Sequence, residues 1–294
     1  GLLDLNKTKG TIANGVAPIF GTASGALGSS LLVQYLPAPT HLVYLLLFAV
    51  FILQGIGVAL MRESSPPKPG ALASLRPQLG IPAAARRPLA LAAPAVVAVW
   101  ALAGFYLSLG PALARLVVGS HSVVLGGLAV FALAGSGGVT VLLIRTTPPR
   151  VVMFLATVAL ILGVGLTLLA IAQTSAALFF IGTAVAGVGF GGGFQGALRT
   201  VLPLAAPHER AGLLSSVYVL CYLAMGLPAV IAGFLVVHSG VLTTAREYGV
   251  AVIVLTAVAL LGLAWPRREQ PAPRLVAPMQ TEAELLAGSS CKAS

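Results

Sequence analysis

The sequence predicts an all-α integral membrane protein with eight transmembrane helices, and composition is the first reason. Hydrophobic residues make up 58% of the 294 residues and charged residues 8%, whereas soluble domains are about 45–50% apolar and about 25% charged. The mean hydropathy of +1.00 leaves too little polar surface to cover a water-soluble particle of this size. These values exclude a soluble enzyme, a secreted disulfide scaffold and a disordered chain.

The second reason is the length of the apolar stretches. A helix needs about 20 apolar residues to cross about 30 Å of hydrocarbon. Eight stretches of about this length contain no Asp, Glu, Lys or Arg, and none shows the alternation of a β-barrel strand. The stretches are residues 11–36, 42–61, 89–111, 122–144, 151–173, 176–198, 211–237 and 248–266.

The third reason is the distribution of basic residues between these stretches. If the loops are assigned alternately to two sides, all of the 17 Lys and Arg residues except Arg115 and Arg246 fall on one side. Lys and Arg concentrate on the cytoplasmic side of membrane proteins. The sequence therefore predicts that both ends of this segment are cytoplasmic and that the protein spans the cell inner (plasma) membrane. The net charge of +10 then reflects topology, and we expect no nucleic acid partner.

A long, Pro-rich and basic connection at 62–88 divides the spans into two and six. Such a composition is typical of a flexible cytoplasmic linker. We expect residues 1–61 to hold the last two helices of an N-terminal bundle and residues 89–268 to form a complete six-helix C-terminal bundle. We expect residues 269–294 to be a disordered cytoplasmic tail.

Three glycine-containing motifs accompany this layout. They are Gly21-Thr-Ala-Ser-Gly25 in the first span, Gly187-Val-Gly-Phe-Gly-Gly-Gly-Phe-Gln195-Gly196 in the sixth, and Tyr222-Leu-Ala-Met-Gly226-Leu-Pro228 in the seventh. With these motifs and six helices after a basic linker, the chain resembles the major facilitator superfamily (MFS) of transporters, in its bacterial efflux-type branch. The eight spans match the fifth to twelfth of that family's usual twelve helices. Ala26 stands where the fifth-helix signature has proline.

The resemblance implies secondary active transport by alternating access, with proton-coupled efflux of small organic molecules such as drugs or sugars. It also implies that the chain is an N-terminally truncated fragment. The acidic residues that couple transport to proton entry would then lie in the four helices that precede this segment. Because alternating access rocks one bundle against another, we expect residues 1–294 alone not to transport. The family's Gly–Asp–Arg loop reads Arg145-Thr-Thr-Pro-Pro-Arg150 here and lacks the acid.

Polar and aromatic residues within the spans are candidates for lining a substrate cavity. A polar group in the bilayer needs a partner or water, and aromatic walls suit amphipathic organic substrates. The resemblance implies that the family's seventh, eighth, tenth and eleventh helices face that cavity. The alternatives are core packing for each aromatic residue and a bridge between two helices for each glutamine. The candidates are Trp100, Tyr106, Gln195, Tyr218, Tyr222 and Gln54.

Glycines and prolines within the spans are candidates for close packing and for flexing during transport. Gly187, Gly189 and Gly192 form a G-x-G-x-x-G string, but a dinucleotide site needs a preceding strand, and this string lies inside a transmembrane stretch. Small residues four positions apart let helix backbones approach each other. Gly110-Pro111 predicts either a flexing point or a simple helix end. The packing and gating candidates are Gly21, Gly25, Gly110, Pro111, Gly192, Gly196, Gly226 and Pro228.

The charged residues of interest in the predicted cytoplasmic loops are Arg145, Arg150, Arg199, Glu209 and Arg210. We expect Arg199 to anchor the sixth span at the membrane interface. Glu209 and Arg210 predict either a latch between helices or a solvated ion pair that adds little stability. The histidines have no second ligand at metal spacing, so we expect no metal ion and no cofactor.

Two other classes of function compete with transport. A prenyl or glycosyl transferase in the membrane would need acidic residues to hold Mg²⁺ and a diphosphate. The only Asp is Asp4, so we expect no enzyme activity. A non-transporting scaffold or permease subunit stays open, and it would assemble stably with a protein partner. The expected partners are the lipid bilayer, a small-molecule substrate and the missing N-terminal helices of the same protein.

Overall fold

In the computed structural model, the described residues 7–61 and 79–264 are almost entirely helical and contain no strand. Residues 62–78 of the predicted linker and the predicted tail at 269–294 lie outside the described residues. The helices are α1 Lys7–Tyr35, α2 Pro39–Ala59, α3 Ala83–Ser108, α4 Gly110–Val118, α5 Val124–Leu143, α6 Pro149–Gln173, α7 Ala176–Val201, α8 Arg210–Ser239 and α9 Val241–Ala264.

Eight of the described helices, all except α4, are long and apolar enough to cross a membrane. They correspond one to one with the eight apolar stretches of the sequence. The predicted number of spans is therefore confirmed, and the chain is a multi-pass membrane protein. The division into a two-helix part at 1–61 and a six-helix part at 89–268 stays a prediction.

Two helices begin six or seven residues earlier than the apolar stretches indicate. The third stretch starts at residue 89, but α3 begins at Ala83 and includes Arg86 and Arg87. The eighth starts at residue 248, but α9 begins at Val241 and includes Arg246 and Glu247, whose side chains are exposed. The predicted starts are wrong because a charge ends the apolar run without breaking any backbone hydrogen bond, so the helix continues past the hydrocarbon.

The short helix α4 is absent from the sequence-based prediction. It starts at Gly110 with Pro111 in its first turn, where a backbone N–H would have no partner within the helix, and it ends at Val118, which Gly119 follows with φ 68°. Leu109 N donates to Phe105 O over 2.8 Å, and Leu113 N donates to Leu109 O over 2.9 Å, so the chain stays hydrogen-bonded across the junction. A gating role for Gly110-Pro111 stays a prediction.

The helix α7 lies between α5 and α6 and packs closely on both. A Cβ placed on Gly191 would collide with the backbone of Gly137 in α5, and one placed on Gly163 in α6 would collide with the backbone of Ala186 in α7. Glycine allows this approach because it has no side chain to separate the backbones. These three helices therefore form a layer held together by backbone contact.

Gly192 and Gly196 face α6, as a small-residue pair in a close contact would. A Cβ on Gly192 would lie 3.0 Å from Ala156 Cβ, and one on Gly196 would lie 2.7 Å from Met153 Cγ. Either added methyl group would press on a side chain of α6.

The helix α1 packs on α5 through the face that carries Ser30 and Gln34, and not through the face that carries Gly21 and Gly25. A Cβ on Gly127 of α5 would collide with Ser30, and Gln34 Oε1 accepts a hydrogen bond of 2.9 Å from Val123 N at the start of α5. Gly21 and Gly25 are exposed, with no described atom within 4 Å of an added Cβ. No described helix packs against this pair, because both glycines lie on the opposite side of α1, and their packing role stays a prediction.

The helix α3 joins this layer to α8 and α9. A Cβ on Gly104 would lie 2.5 Å from the carbonyl oxygen of Met225 in α8. Tyr248 of α9 donates its hydroxyl hydrogen to Ala101 O over 2.9 Å. Gly226 has open space around it among the described residues, and Pro228 lies inside α8 without ending it. The helix α2 packs chiefly on α1 and is exposed along its span.

Candidate functional site

Five aromatic residues from three helices come together on one side of the protein. Trp100 of α3 lies 5.3 Å from Phe194 of α7 and 5.6 Å from Tyr222 of α8, measured between ring centroids. Phe190 lies 6.4 Å from Trp100, and Tyr218 lies 6.1 Å from Phe194. We call these five residues the aromatic cluster.

Helical spacing and one glycine explain why the aromatic cluster forms. Phe190 and Phe194 are four residues apart on α7, so their side chains lie on one face. A Cβ on Gly193 would lie 2.6 Å from Val99 Cγ2 of α3, so this glycine brings the two helices together beside Trp100. Aromatic pairs in edge-to-face geometry stabilise one another by about 0.5–1.5 kcal/mol beyond the area that they bury.

The outer part of the aromatic cluster is open. Tyr218 is 39% exposed and Tyr222 is 58% exposed. Their rings lie 6.3 Å apart with an interplanar angle of 29°, one turn apart on α8. The two tyrosines therefore offer ring surface that a planar molecule could stack on, while Trp100, Phe190 and Phe194 are partly buried behind them.

The indole N–H of Trp100 is buried without a hydrogen-bond partner. Its Nε1 is the only buried side-chain nitrogen or oxygen without a hydrogen-bond partner among the described residues. Leaving such a donor unpaired costs about 1–3 kcal/mol, because the group has lost its water without gaining a protein acceptor. An acceptor that reached this atom would recover part of that free energy.

Three predicted cavity residues do not belong to the aromatic cluster. Tyr106 is fully buried, and its hydroxyl lies 2.7 Å from Thr167 Oγ1 of α6 in a hydrogen bond inside the core. Core packing, the alternative for this residue, is therefore what the structure shows. Gln54 is exposed on α2, away from the cluster.

Gln195 is the third of these residues. It is partly buried, and its side chain has no hydrogen bond to another described residue. It precedes Arg199 by four positions, so both lie on the face of α7 that is turned about 100° from Phe194. Gln195 therefore lies on a different face of α7 from Phe190 and Phe194, and its role in lining a substrate cavity stays a prediction.

Phe190 and Phe194 are members that the sequence analysis missed. Both lie inside the glycine-rich string of the sixth span, where the glycines dominate the pattern. The signal that marks them is their own spacing of four, which Tyr218 and Tyr222 share.

Arg199 connects α7 to the turn between α5 and α6. Its Nη1 donates to Ile144 O over 3.1 Å and its Nη2 donates to Thr147 O over 2.9 Å. Ile144 lies at the C-terminal end of α5, where a positive charge is favourable, and its carbonyl oxygen also accepts a hydrogen bond from Thr147 N. Arg145, in the same turn, and Arg150, at the start of α6, are exposed.

Glu209 and Arg210 bind the backbone next to them. Glu209 Oε2 accepts a hydrogen bond of 3.1 Å from Ala206 N, and Arg210 Nε donates to Ala205 O over 3.3 Å. These bonds shape the turn between α7 and α8. The latch between helices that the sequence allows stays a prediction.

A cavity of about 400 Å³ lies beside this turn and the start of α3. Its polar lining comes from Arg86, His208 and Glu209. Within residues 16–61 and 79–263, whose side chains are described apart from residue 40, no three His, Cys, Asp or Glu side chains cluster as a metal site would require.

Comparison of the chain with protein-family models, curated proteins and solved structures finds no match.

Proposed function

We propose that this protein is a secondary active transporter that exports small organic molecules by alternating access. The observation that carries the proposal is the aromatic cluster, which combines stacking surface, an open side and an unpaired donor within a multi-pass membrane protein. Ligand sites are mostly apolar and aromatic, with a few polar groups that fix orientation. The cluster has this composition.

Uneven packing also favours transport over a static scaffold. In the most apolar 18-residue stretch of α3, 67% of the residues are buried, whereas the corresponding share in α8 is 17%. A helix with little buried surface can move at low cost. The aromatic cluster therefore includes residues of a well-anchored helix, α3, and of a loosely packed helix, α8, so the distance between them can change during transport.

The resemblance to MFS efflux proteins supplies the rest of the proposal. It adds coupling to proton entry, further helices of the same protein as partners, and the surrounding lipid bilayer as the environment. Transfer chemistry is less well supported, because the five residues of the aromatic cluster include no carboxylate, histidine or thiol that could act as acid, base or nucleophile.

We further propose that α3 and α6 begin on the cytoplasmic side of the inner membrane. In a chain whose Cys291 is replaced by alanine, Arg86→Cys and Arg150→Cys should react with a membrane-impermeant maleimide only after right-side-out vesicles are permeabilised. His121→Cys, in the exposed turn after α4, should react at once. The measurement is the labelled fraction on a gel. Labelling of Arg86→Cys and Arg150→Cys from opposite sides would contradict this topology.

Transport itself is tested in everted membrane vesicles from cells that produce the protein from its own gene. A proton gradient should drive uptake of an uncharged fluorescent dye, and the Tyr218→Ala, Tyr222→Ala double variant should lower the initial rate about tenfold, because two stacking rings are lost. Phe234→Ala is the matched control, since Phe234 is exposed on the same helix but outside the aromatic cluster. Equal rates in the double variant and the wild type, or no uptake driven by the gradient, would overturn the proposal.

A further inference from the structure

The unpaired N–H of Trp100 indicates what kind of molecule the aromatic cluster binds. Phe190, Phe194 and Tyr222 pack around the indole in edge-to-face geometry, at interplanar angles of 65°, 82° and 63°. None of them places an acceptor on Nε1. An incoming acceptor could therefore pair with this donor without breaking any protein hydrogen bond. The free energy of the new hydrogen bond would then not be offset by the loss of an existing one.

Tyr222 is the most exposed of the three rings that pack around the indole. It is 58% exposed, and exposed side chains change rotamer within picoseconds to nanoseconds. Phe190 and Phe194 are held on α7, whose neighbouring residues Gly191 and Gly193 touch α5 and α3 closely. Rotation of Tyr222 away from the indole therefore frees one side of the Trp100 ring while the other two rings stay in place.

The charge and shape of the site limit the ligand further. None of the five side chains carries a charge at neutral pH, so the site offers no counter-ion to a charged ligand, and desolvating such a ligand would be costly. The two tyrosine rings, inclined by 29°, present flat faces on which a planar group stacks.

We propose that the aromatic cluster binds uncharged, planar organic molecules that carry a hydrogen-bond acceptor, and that the acceptor pairs with Trp100 Nε1–H once Tyr222 has moved aside. This inference rests on the proposed transport function and names its substrate class. Trp100 is then a specificity-determining residue, because a molecule of the same shape without an acceptor leaves the donor unpaired.

The test uses the 294-residue chain with the substitution Trp265→Phe, in lipid nanodiscs. The sequence has two tryptophans, so this substitution leaves Trp100 as the only one. The probes are N,N-dimethylbenzamide, which has a strong acceptor and no donor, and isopropylbenzene, an aromatic hydrocarbon of similar size. We expect the amide to shift Trp100 emission to longer wavelength, because the indole N–H becomes hydrogen-bonded, and the hydrocarbon to leave the wavelength unchanged. The absence of a shift with the amide would overturn the inference.

Removing the donor separates the inference from the function on which it rests. By calorimetry, Trp100→Phe should weaken binding of the amide about tenfold, the value of one neutral hydrogen bond, and should leave binding of the hydrocarbon unchanged. An equal effect on both probes would overturn the acceptor requirement and leave the transport proposal standing.

If the Trp100→Phe variant does not fold, Tyr222→Ala gives a second test in the Trp265→Phe chain. Its Trp100 emission should lie at longer wavelength before any probe is added, and unchanged emission would contradict the covering role of Tyr222.

Discussion

Replacement of Gly163 by alanine should destabilise the protein by about 3 kcal/mol, the upper part of the range for overpacked cores. The added Cβ would overlap the backbone of Ala186 in α7, lying 2.8 Å from Ala186 Cβ and closer still to its main chain. A backbone cannot rotate away as a flexible side chain can, so α6 and α7 would have to separate along their contact. The free energy of unfolding, measured by detergent titration in mixed micelles, gives this value.

Gly165→Ala is the matched control for Gly163→Ala. Gly165 lies two positions further along the same helix, and no described atom lies within 4 Å of a Cβ placed on it. Alanine is favoured over glycine inside a helix by about 1 kcal/mol, so this change should be neutral or stabilising. Equal destabilisation by the two substitutions would show that backbone contact between α6 and α7 does not hold the layer together.

Replacement of Arg199 by alanine should lower the free energy of unfolding by about 2–3 kcal/mol, in the range for hydrogen bonds of a charged group. The change removes both bonds to Ile144 O and Thr147 O and the favourable charge at the end of α5. Arg199→Lys should recover only part of the loss, because an ammonium group lacks the fork that reaches two carbonyls at once. Thermal unfolding in detergent, followed by circular dichroism, orders the variants.

Arg145→Ala is the control for Arg199→Ala. Arg145 lies in the same turn and carries the same charge, but its side chain is exposed and makes no hydrogen bond to another described residue. We expect its loss to change stability by less than about 0.5 kcal/mol, as for most surface substitutions. Similar melting temperatures for the two alanine variants would mean that net charge, rather than the contact with the α5–α6 turn, accounts for any effect of Arg199.

The number of spans could be predicted from the sequence because the bilayer fixes the length that a spanning helix needs. Helix ends could not, since Arg86, Arg246 and Glu247 mark the end of the apolar run and not the end of the helix. The helix α4 was missed for a related reason. Its nine residues are too few to cross a bilayer, so a search for spans passes over them.

The direction in which each side chain points was harder to predict than the helices themselves. In a soluble protein the polar face of a helix marks the outside, but these helices are apolar all round. Spacing placed Tyr218 and Tyr222 on one face, yet nothing in the sequence distinguished the exposed Tyr222 from the buried Tyr106. Likewise, Gly21 and Gly25 have the same spacing as Gly192 and Gly196, and only the latter pair meets another helix among the described residues.

Pro228 gives α8 an uneven stiffness along its length. Proline has no N–H to donate, so the carbonyl of Ala224, four residues earlier, loses its usual partner in the helix. Bending at this point breaks fewer backbone bonds than bending elsewhere in α8. We therefore expect a bend at Pro228 to change the angle between the segment that carries Tyr218 and Tyr222, which also holds four of the five buried residues of α8, and the segment after it, whose buried residue is Ala232.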